Sequence, residues 1–251
     1  MKNIVYILFS GIILFILSAC ENRIDDYPQP DQTYRGTIIN ANTNMPLETD
    51  PGDGINLRME ELSWDENPQP YSFNAKSDGT FNNTKVFAGT YRLDVWGPIV
   101  PIYFTDDLGN VIIDNRKTVE IKGGVTSIDW IVEPLLEIEW VGDPIVNEDK
   151  TITANVKITR GTDNPDFQNN MKSVYLMISS KSTVGTGTNE DTYSVTKTVK
   201  NSILGTTYSI TNKGGPVTLH NVKKWYVRVG ARIDQGLNRY NVSTVKEVII
   251  P

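Results

Sequence analysis

Apolar and polar residues alternate in short runs along most of this chain, and Gly, Asn, Asp or Pro closes each run. Ile55, Leu57 and Met59 alternate with Asn56, Arg58 and Glu60; Tyr91, Leu93 and Val95 repeat the pattern, as do Ile152, Ala154, Val156 and Ile158. A period of two sends successive side chains to opposite faces, so each run predicts a strand with one buried face. Helical spacing at i, i+3 and i+4 is almost absent after residue 32, which makes the fold class all-β. The longest alternation, Trp225, Val227, Val229, Ala231 and Ile233, predicts a core strand with Tyr226, Arg228 and Arg232 pointing outward. Asp78-Gly79 and Ala88-Gly89 mark turns where a positive φ costs least. The pattern restarts at Leu136, Ile138 and Trp140 after Pro134. We therefore expect two consecutive β-sandwich domains, 33–133 and 134–251.

The first residues read differently. Lys2 precedes a nearly unbroken apolar run from Ile4 to Leu17, too short for a bilayer span of about 20 residues but of the length found in a secretory leader. The run ends in Leu17-Ser18-Ala19-Cys20, which resembles the bacterial lipobox. That resemblance implies removal of the signal peptide 1–19 and acylation of Cys20, hence attachment to a membrane through several lipid chains. Cys20 is the only cysteine, so the mature protein has no disulfide and no thiolate-bound metal. The rest of the segment 20–32, ENRIDDYPQPDQ, is too polar to fold alone and reads as a tether. Its acidic residues Glu21, Asp25 and Asp26 resemble the export signal of Bacteroidetes surface lipoproteins, which implies an outer-membrane, cell-surface location. The formal charge of -6, with no basic cluster, argues against a nucleic-acid partner.

Two domain resemblances follow from the strands. Gly36, Ile38, Ala41, Thr43, Pro46 and Leu47, then Asp78, Gly79, Phe81, Val86, Gly89, Tyr91, Leu93 and Val95, resemble the carboxypeptidase regulatory-like, or prealbumin-like, sandwich; Val119, Ile121, Gly124, Ile128, Trp130 and Val132 match its closing strands. Glu48 to Asp53 and Gly97 to Asn115 are additions to that pattern, and loops of this kind carry individual function. The strand from Trp225 to Ile233 resembles the Tyr-x-Val-x-Val-x-Ala strand of fibronectin type III domains, so the second sandwich is expected to be Ig-like or fibronectin-like. As a whole, the chain resembles an uncharacterised family of Bacteroidetes outer-membrane lipoproteins. That resemblance implies association with glycan-uptake loci of the starch-utilisation type and with outer-membrane transport proteins.

Catalytic parts are scarce. The single His220 lies beside a strand end, and no strand-turn-helix elbow surrounds a Ser. The acidic pairs Asp25/Asp26, Glu60/Glu61, Asp65/Glu66, Asp106/Asp107 and Glu190/Asp191 all sit in polar or loop surroundings, where a solvated surface explains them better than glycoside hydrolysis. Asp50-Pro51-Gly52-Asp53-Gly54 and Asp106 to Asn110 offer oxygens but lack the EF-hand order, so neither a metal nor a cofactor is expected. Gly185-Thr186-Gly187-Thr188 is too short for a phosphate loop and reads as a flexible hairpin tip.

Aromatic residues remain, because the C–H face of a sugar can lie on a ring. Trp130, Trp140 and Trp225 share parity with apolar neighbours and are assigned to the core. Trp64 sits in a polar, proline-bearing loop that ends at Tyr71, while Trp96 precedes Gly97-Pro98 and stands near Tyr103 of the second insertion. Trp64, Tyr71, Trp96 and Tyr103 are the candidate carbohydrate-binding residues, and rings folded back over their own sandwich edge are the plainer explanation. The expected function is a non-catalytic glycan-binding or accessory module, binding a polysaccharide or oligosaccharide. The alternatives are a spacer or protein-docking lipoprotein and, last, a hydrolase.

Overall fold

A computed structural model describes residues 28–215, 217, 223–235 and 237–250. The leader, Cys20, the acidic residues Glu21, Asp25 and Asp26, and His220 lie outside the described residues. The chain divides into two units, Met1–Pro30 and Asp31–Pro251, and every described strand belongs to the second. That unit is built of strands, as the alternation predicts.

The first sandwich contains β1 (Gln32–Asn40), β2 (Asn56–Glu61), β3 (Tyr71–Asn74), β4 (Thr80–Val86) and β5 (Gly89–Trp96). A hairpin of β6 (Tyr103–Thr105) and β7 (Val111–Asp114) comes next, then β8 (Lys117–Ile121), β9 (Val125–Ser127) and β10 (Trp130–Val132). One sheet has β1 at its centre, antiparallel to β4 on one side and parallel to β9 and then β10 on the other. The facing sheet runs β3-β2-β5-β8. Leu57, Leu93, Ile38 and Ile121 meet between the sheets, with Trp130 donating its indole N–H to the Tyr34 hydroxyl at 2.9 Å. That bond satisfies both buried polar atoms, and burial holds the Tyr34 phenol well above its ordinary pKa. Gly36 is required where β9 passes into β10, since a Cβ there would stand 1.9 Å from the Ile128 carbonyl oxygen.

The second sandwich contains β11 (Leu136–Trp140), β12 (Ile145–Val146), β13 (Ile152–Arg160), β14 (Met171–Ser179), β15 (Val195–Thr198), β16 (Thr207–Thr211), β17 (Lys224–Ile233), β18 (Asn241–Val242) and β19 (Lys246–Ile249). β11 and β12 flank β13 on one side and β16 on the other. The facing sheet runs β15-β14-β17, with β18 and β19 in turn along the outer side of β17. Its core gathers Ile152, Val156, Leu176 and Val229 around Trp225, against whose ring Tyr193 stands edge-on at 5.5 Å.

Two expectations need correction. Trp140 is only partly buried; its indole N–H donates to the Thr244 carbonyl at 3.0 Å, at the end of β11 where the core gives way to solvent. Arg228 does not point into water. The outer face of β14 and β17 is itself covered, partly by a small cluster of Met177, Val184 and Val242 with Tyr175, Tyr226 and Tyr240, and partly by the first sandwich.

Candidate functional site

The two sandwiches meet along a polar seam. Arg228, on β17, is fully buried, and its guanidinium donates to the carbonyls of Ser243 (2.7 Å) and Thr49 (3.0 Å) and to Glu48 Oε2 (2.6 Å). Burial lowers the Arg228 pKa and raises that of Glu48, so desolvation outweighs the mutual attraction of the pair. Asp50, equally buried, accepts from the Gly52 and Asp53 amides through Oδ1 and from the Thr186 amide through Oδ2, with the Thr186 hydroxyl also on Oδ1. Gly185 allows this approach, because a Cβ there would lie 2.7 Å from the Pro51 ring. The Asp50 loop and the Gly185–Thr188 turn, far apart in sequence, thus lock onto each other. The turn is not a free hairpin tip, and the Asp50 oxygens are occupied by donors.

Beside this seam opens a crevice of about 180 Å³. The end of β5 and the chain after it supply Trp96, Pro98, Ile102 and Tyr103, and the loop after β17 supplies Gln235, Leu237 and Arg239. The two aromatic residues are held in the same way. Arg58 lies over the Trp96 ring at 3.9 Å, and Arg116 over the Tyr103 ring at 3.8 Å. Cation–π contact occupies one face of each ring and fixes its tilt, so each offers the crevice its other face or its edge. Asp94 secures Trp96 from below: Oδ2 accepts the indole N–H at 2.5 Å, Oδ1 accepts the Val95 amide, and Arg58 stands 3.8 Å away. Burial raises the Asp94 pKa, with the Trp96 bond acting against it. Asp114 takes Arg116 at 2.7 Å, which keeps the second cation in place.

On the opposite wall Arg239 spends its guanidinium on structure, donating to the Gly54 carbonyl (3.0 Å), the Trp96 carbonyl (3.3 Å) and Asn56 Oδ1 (2.5 Å), with Asp53 at 3.1 Å. Asn241 bridges the sandwiches, donating to the Pro98 carbonyl at 2.8 Å and accepting from the Leu136 amide at 3.0 Å. Gln235 Oε1 is buried and has no hydrogen-bond partner among the described residues. Sequence reasoning misses Gln235, Arg239 and Asn241, since nothing local marks these residues as facing another domain.

Of the candidate residues, Trp96 and Tyr103 come together at the crevice; Trp64 and Tyr71 do not join them. Trp96 pairs across β2 with Asn56, at one end of the strand, whereas Trp64 lies in the turn beyond Glu61 at the other. At 3.3 Å per residue those ends stand roughly 17 Å apart. Trp64 is 70% exposed, and Tyr71 lies at the sheet edge with its ring 6.1 Å from that of Phe73.

No carboxylate lines the crevice among the described residues. Glu60 pairs with Arg92 at 2.5 Å, and Asp106 caps its own hairpin by accepting the Leu108 and Asn110 amides. Among the described residues no group of three His, Cys, Asp or Glu side chains could hold a metal ion, and no helix is long and apolar enough to cross a membrane.

No curated protein matches this chain. Residues 32–125 match the family model for the N-terminal domain of DUF3823, a protein of unknown function. Among solved structures, a DUF3823 protein from Bacteroides uniformis is 30% identical, with 88% of this chain and 100% of that chain covered and a TM-score of 0.79. A Parabacteroides merdae DUF3823 protein is 20% identical over 89% of this chain and 100% of that chain, TM-score 0.64. A second Bacteroides uniformis protein, to which carbohydrate binding is ascribed, is 21% identical over 88% of this chain and 100% of that chain, TM-score 0.67. The first of these similarities, together with the family match, makes this chain a member of the DUF3823 family.

Proposed function

We propose that this protein is a non-catalytic, lipid-anchored envelope protein, displayed at the outer-membrane surface, that holds a carbohydrate in the crevice between its two domains, 33–133 and 134–251. The observation that carries the proposal is the pair of rings, Trp96 and Tyr103, each fixed by a guanidinium at the wall of a concave, mainly apolar crevice. Rings held at a set tilt offer sugar C–H faces a surface without a further ordering cost. The ascription of carbohydrate binding to a structural neighbour agrees with it, as does the resemblance of Leu17-Ser18-Ala19-Cys20 to a lipobox. Glycoside hydrolysis needs two carboxylates flanking the bond, and the crevice walls offer none among the described residues.

Affinity gels and calorimetry with a broad glycan panel provide the test. We expect Trp96→Ala and Tyr103→Ala each to weaken binding by about tenfold or more, of the order of 1.4 kcal/mol, while Trp64→Ala and Tyr71→Ala leave it unchanged. Absence of binding across the panel would refute the proposal. A protein-docking role is favoured by a different observation: the β6–β7 hairpin exposes Leu108, Val111 and Ile112 at its tip. Loss of a stable partner from solubilised membranes on Leu108→Asp, with no glycan bound by the parent protein, would favour that role.

A further inference from the structure

Resting on the proposed lipid anchor, we infer that the end of the first sandwich where β1 begins is a membrane-seating face: Trp64, Phe87 and Val125 enter the headgroup region of the bilayer that holds the acylated Cys20. Three connections collect at this end. Residues 87–88 link β4, whose Val86 pairs with Gln32, to β5. Residues 122–124 link β8 to β9, and Gly124 both donates to Gln32 Oε1 and accepts from the Thr33 amide, each at 2.7 Å. The 62–70 loop is tied to the start of β5, where the Leu62 amide donates to the Thr90 carbonyl at 2.7 Å and the Thr90 amide to Ser63 Oγ at 3.0 Å. Each connection carries or adjoins a large apolar side chain turned to water: Phe87 is 40% exposed, Val125 56% and Trp64 70%.

What covers this end follows from where the chain enters it. Cys20 precedes Gln32 by twelve residues, and a fully extended chain of that length reaches at most about 40 Å. A bilayer holding Cys20 is therefore always close to the end that β1 enters. Tryptophan suits such a boundary, because its ring is apolar and its N–H stays among the headgroups. The charges of the same loops form no basic cluster: Lys122 is paired with Glu120, and Asp65 and Glu66 follow Trp64. Attraction to anionic lipid is thus no part of the contact, and the two carboxylates beside the ring limit its entry to headgroup depth. Trp96 and the crevice stand at the other end of β5, roughly 23 Å away at 3.3 Å per residue, so seating this end leaves the crevice facing away from the lipid.

The test is quenching of tryptophan fluorescence in the acylated mature protein, reconstituted into phosphatidylcholine vesicles whose acyl chains are brominated near the headgroup. Flotation of the protein with the vesicles reports the anchor separately. We expect quenching in the parent protein, loss of most of it in Trp64→Phe, and no change in Trp140→Phe. Phe87→Asp keeps the reporting ring and puts a charge on the face, so it should cut the quenching about twofold or more at an unchanged thermal midpoint. A protein that floats with its vesicles yet shows no quenching, or shows it undiminished in Trp64→Phe or in Phe87→Asp, would overturn the inference and leave the anchor standing. A protein that neither floats nor carries lipid would remove both.

Discussion

Truncating Arg228 to alanine tests whether the seam between the sandwiches holds the fold together. The side chain is fully buried and makes close bonds to the carbonyls of Ser243 and Thr49 and to the Glu48 carboxylate. Its loss strands two acceptors inside the protein, each costing about 1–3 kcal/mol when left unpaired. The Glu48 side chain keeps 33% of its exposure, so water recovers part of its hydration and its share falls at the low end. The sum is about 3–7 kcal/mol, which spans the usual cost of removing one member of a buried ion pair, and corresponds to roughly 6–28 °C in midpoint for a domain of this size. Urea unfolding followed by tryptophan fluorescence measures it directly. Glu48→Gln, which keeps an acceptor on Arg228, should cost only about 1 kcal/mol. A loss below about 1 kcal/mol for Arg228→Ala, the range of an exposed pair, would refute the assignment of Arg228 as a structural lock.

Three further outcomes are expected. Asp94 and Glu48 have pKa values raised mainly by burial, so the folded state binds their protons more tightly and stability falls as pH rises through the windows above 3.8 and 4.5 respectively. Asp78, Asp106, Asp114 and Asp149 are lowered chiefly by side-chain hydrogen bonds from Thr80, Asn110, Arg116 and Thr151, so stability is lost as pH falls below 3.8. The two sets therefore give opposed slopes, and urea midpoints that climb steadily from pH 4 to 7 would contradict the contribution of Asp94 and Glu48. Gly36→Ala should cost about 1–3 kcal/mol or more by thermal unfolding, because its methyl would meet the Ile128 carbonyl; a neutral effect would mean that β1 and its neighbours part easily. Cys20→Ser should leave the protein unprocessed and unlabelled by radioactive fatty acid, and normal labelling of that variant would end the lipid-anchor proposal.

The alternating runs make the cores legible: Ile55, Leu57 and Met59, Tyr91 to Val95, and Trp225 to Ile233 all bury the face that parity assigns to them. What the pattern leaves out is the fate of the other face. Period two separates the two sides of a strand, yet it carries no information on whether a second domain covers the outer one. Parity alone therefore sends Arg228 into solvent, although its partners lie 179 and 180 residues away. The same blindness applies to Asp50 and Thr186, each visible as a loop residue, whose meeting is a tertiary event. Trp96 and Tyr103 can be suspected together because one insertion joins them, and the structure sets them along one crevice. Trp64 and Tyr71 belong to the far end of the sheet, which composition cannot separate from the first pair. Gln235 is invisible in the sequence for a simple reason: an unpaired acceptor is a property of what surrounds it.

β1 is held by neighbours on both sides, parallel to β9 and β10 and antiparallel to β4. Tension applied from the N-terminal side would draw this strand lengthwise between its neighbours. The ladder from Thr33 to Asn40 would then be loaded in shear, its bonds strained together, instead of being peeled open one at a time. A protein tugged from that end, by flow or by a cargo held elsewhere on its surface, would keep its interior sealed until the whole ladder gave way.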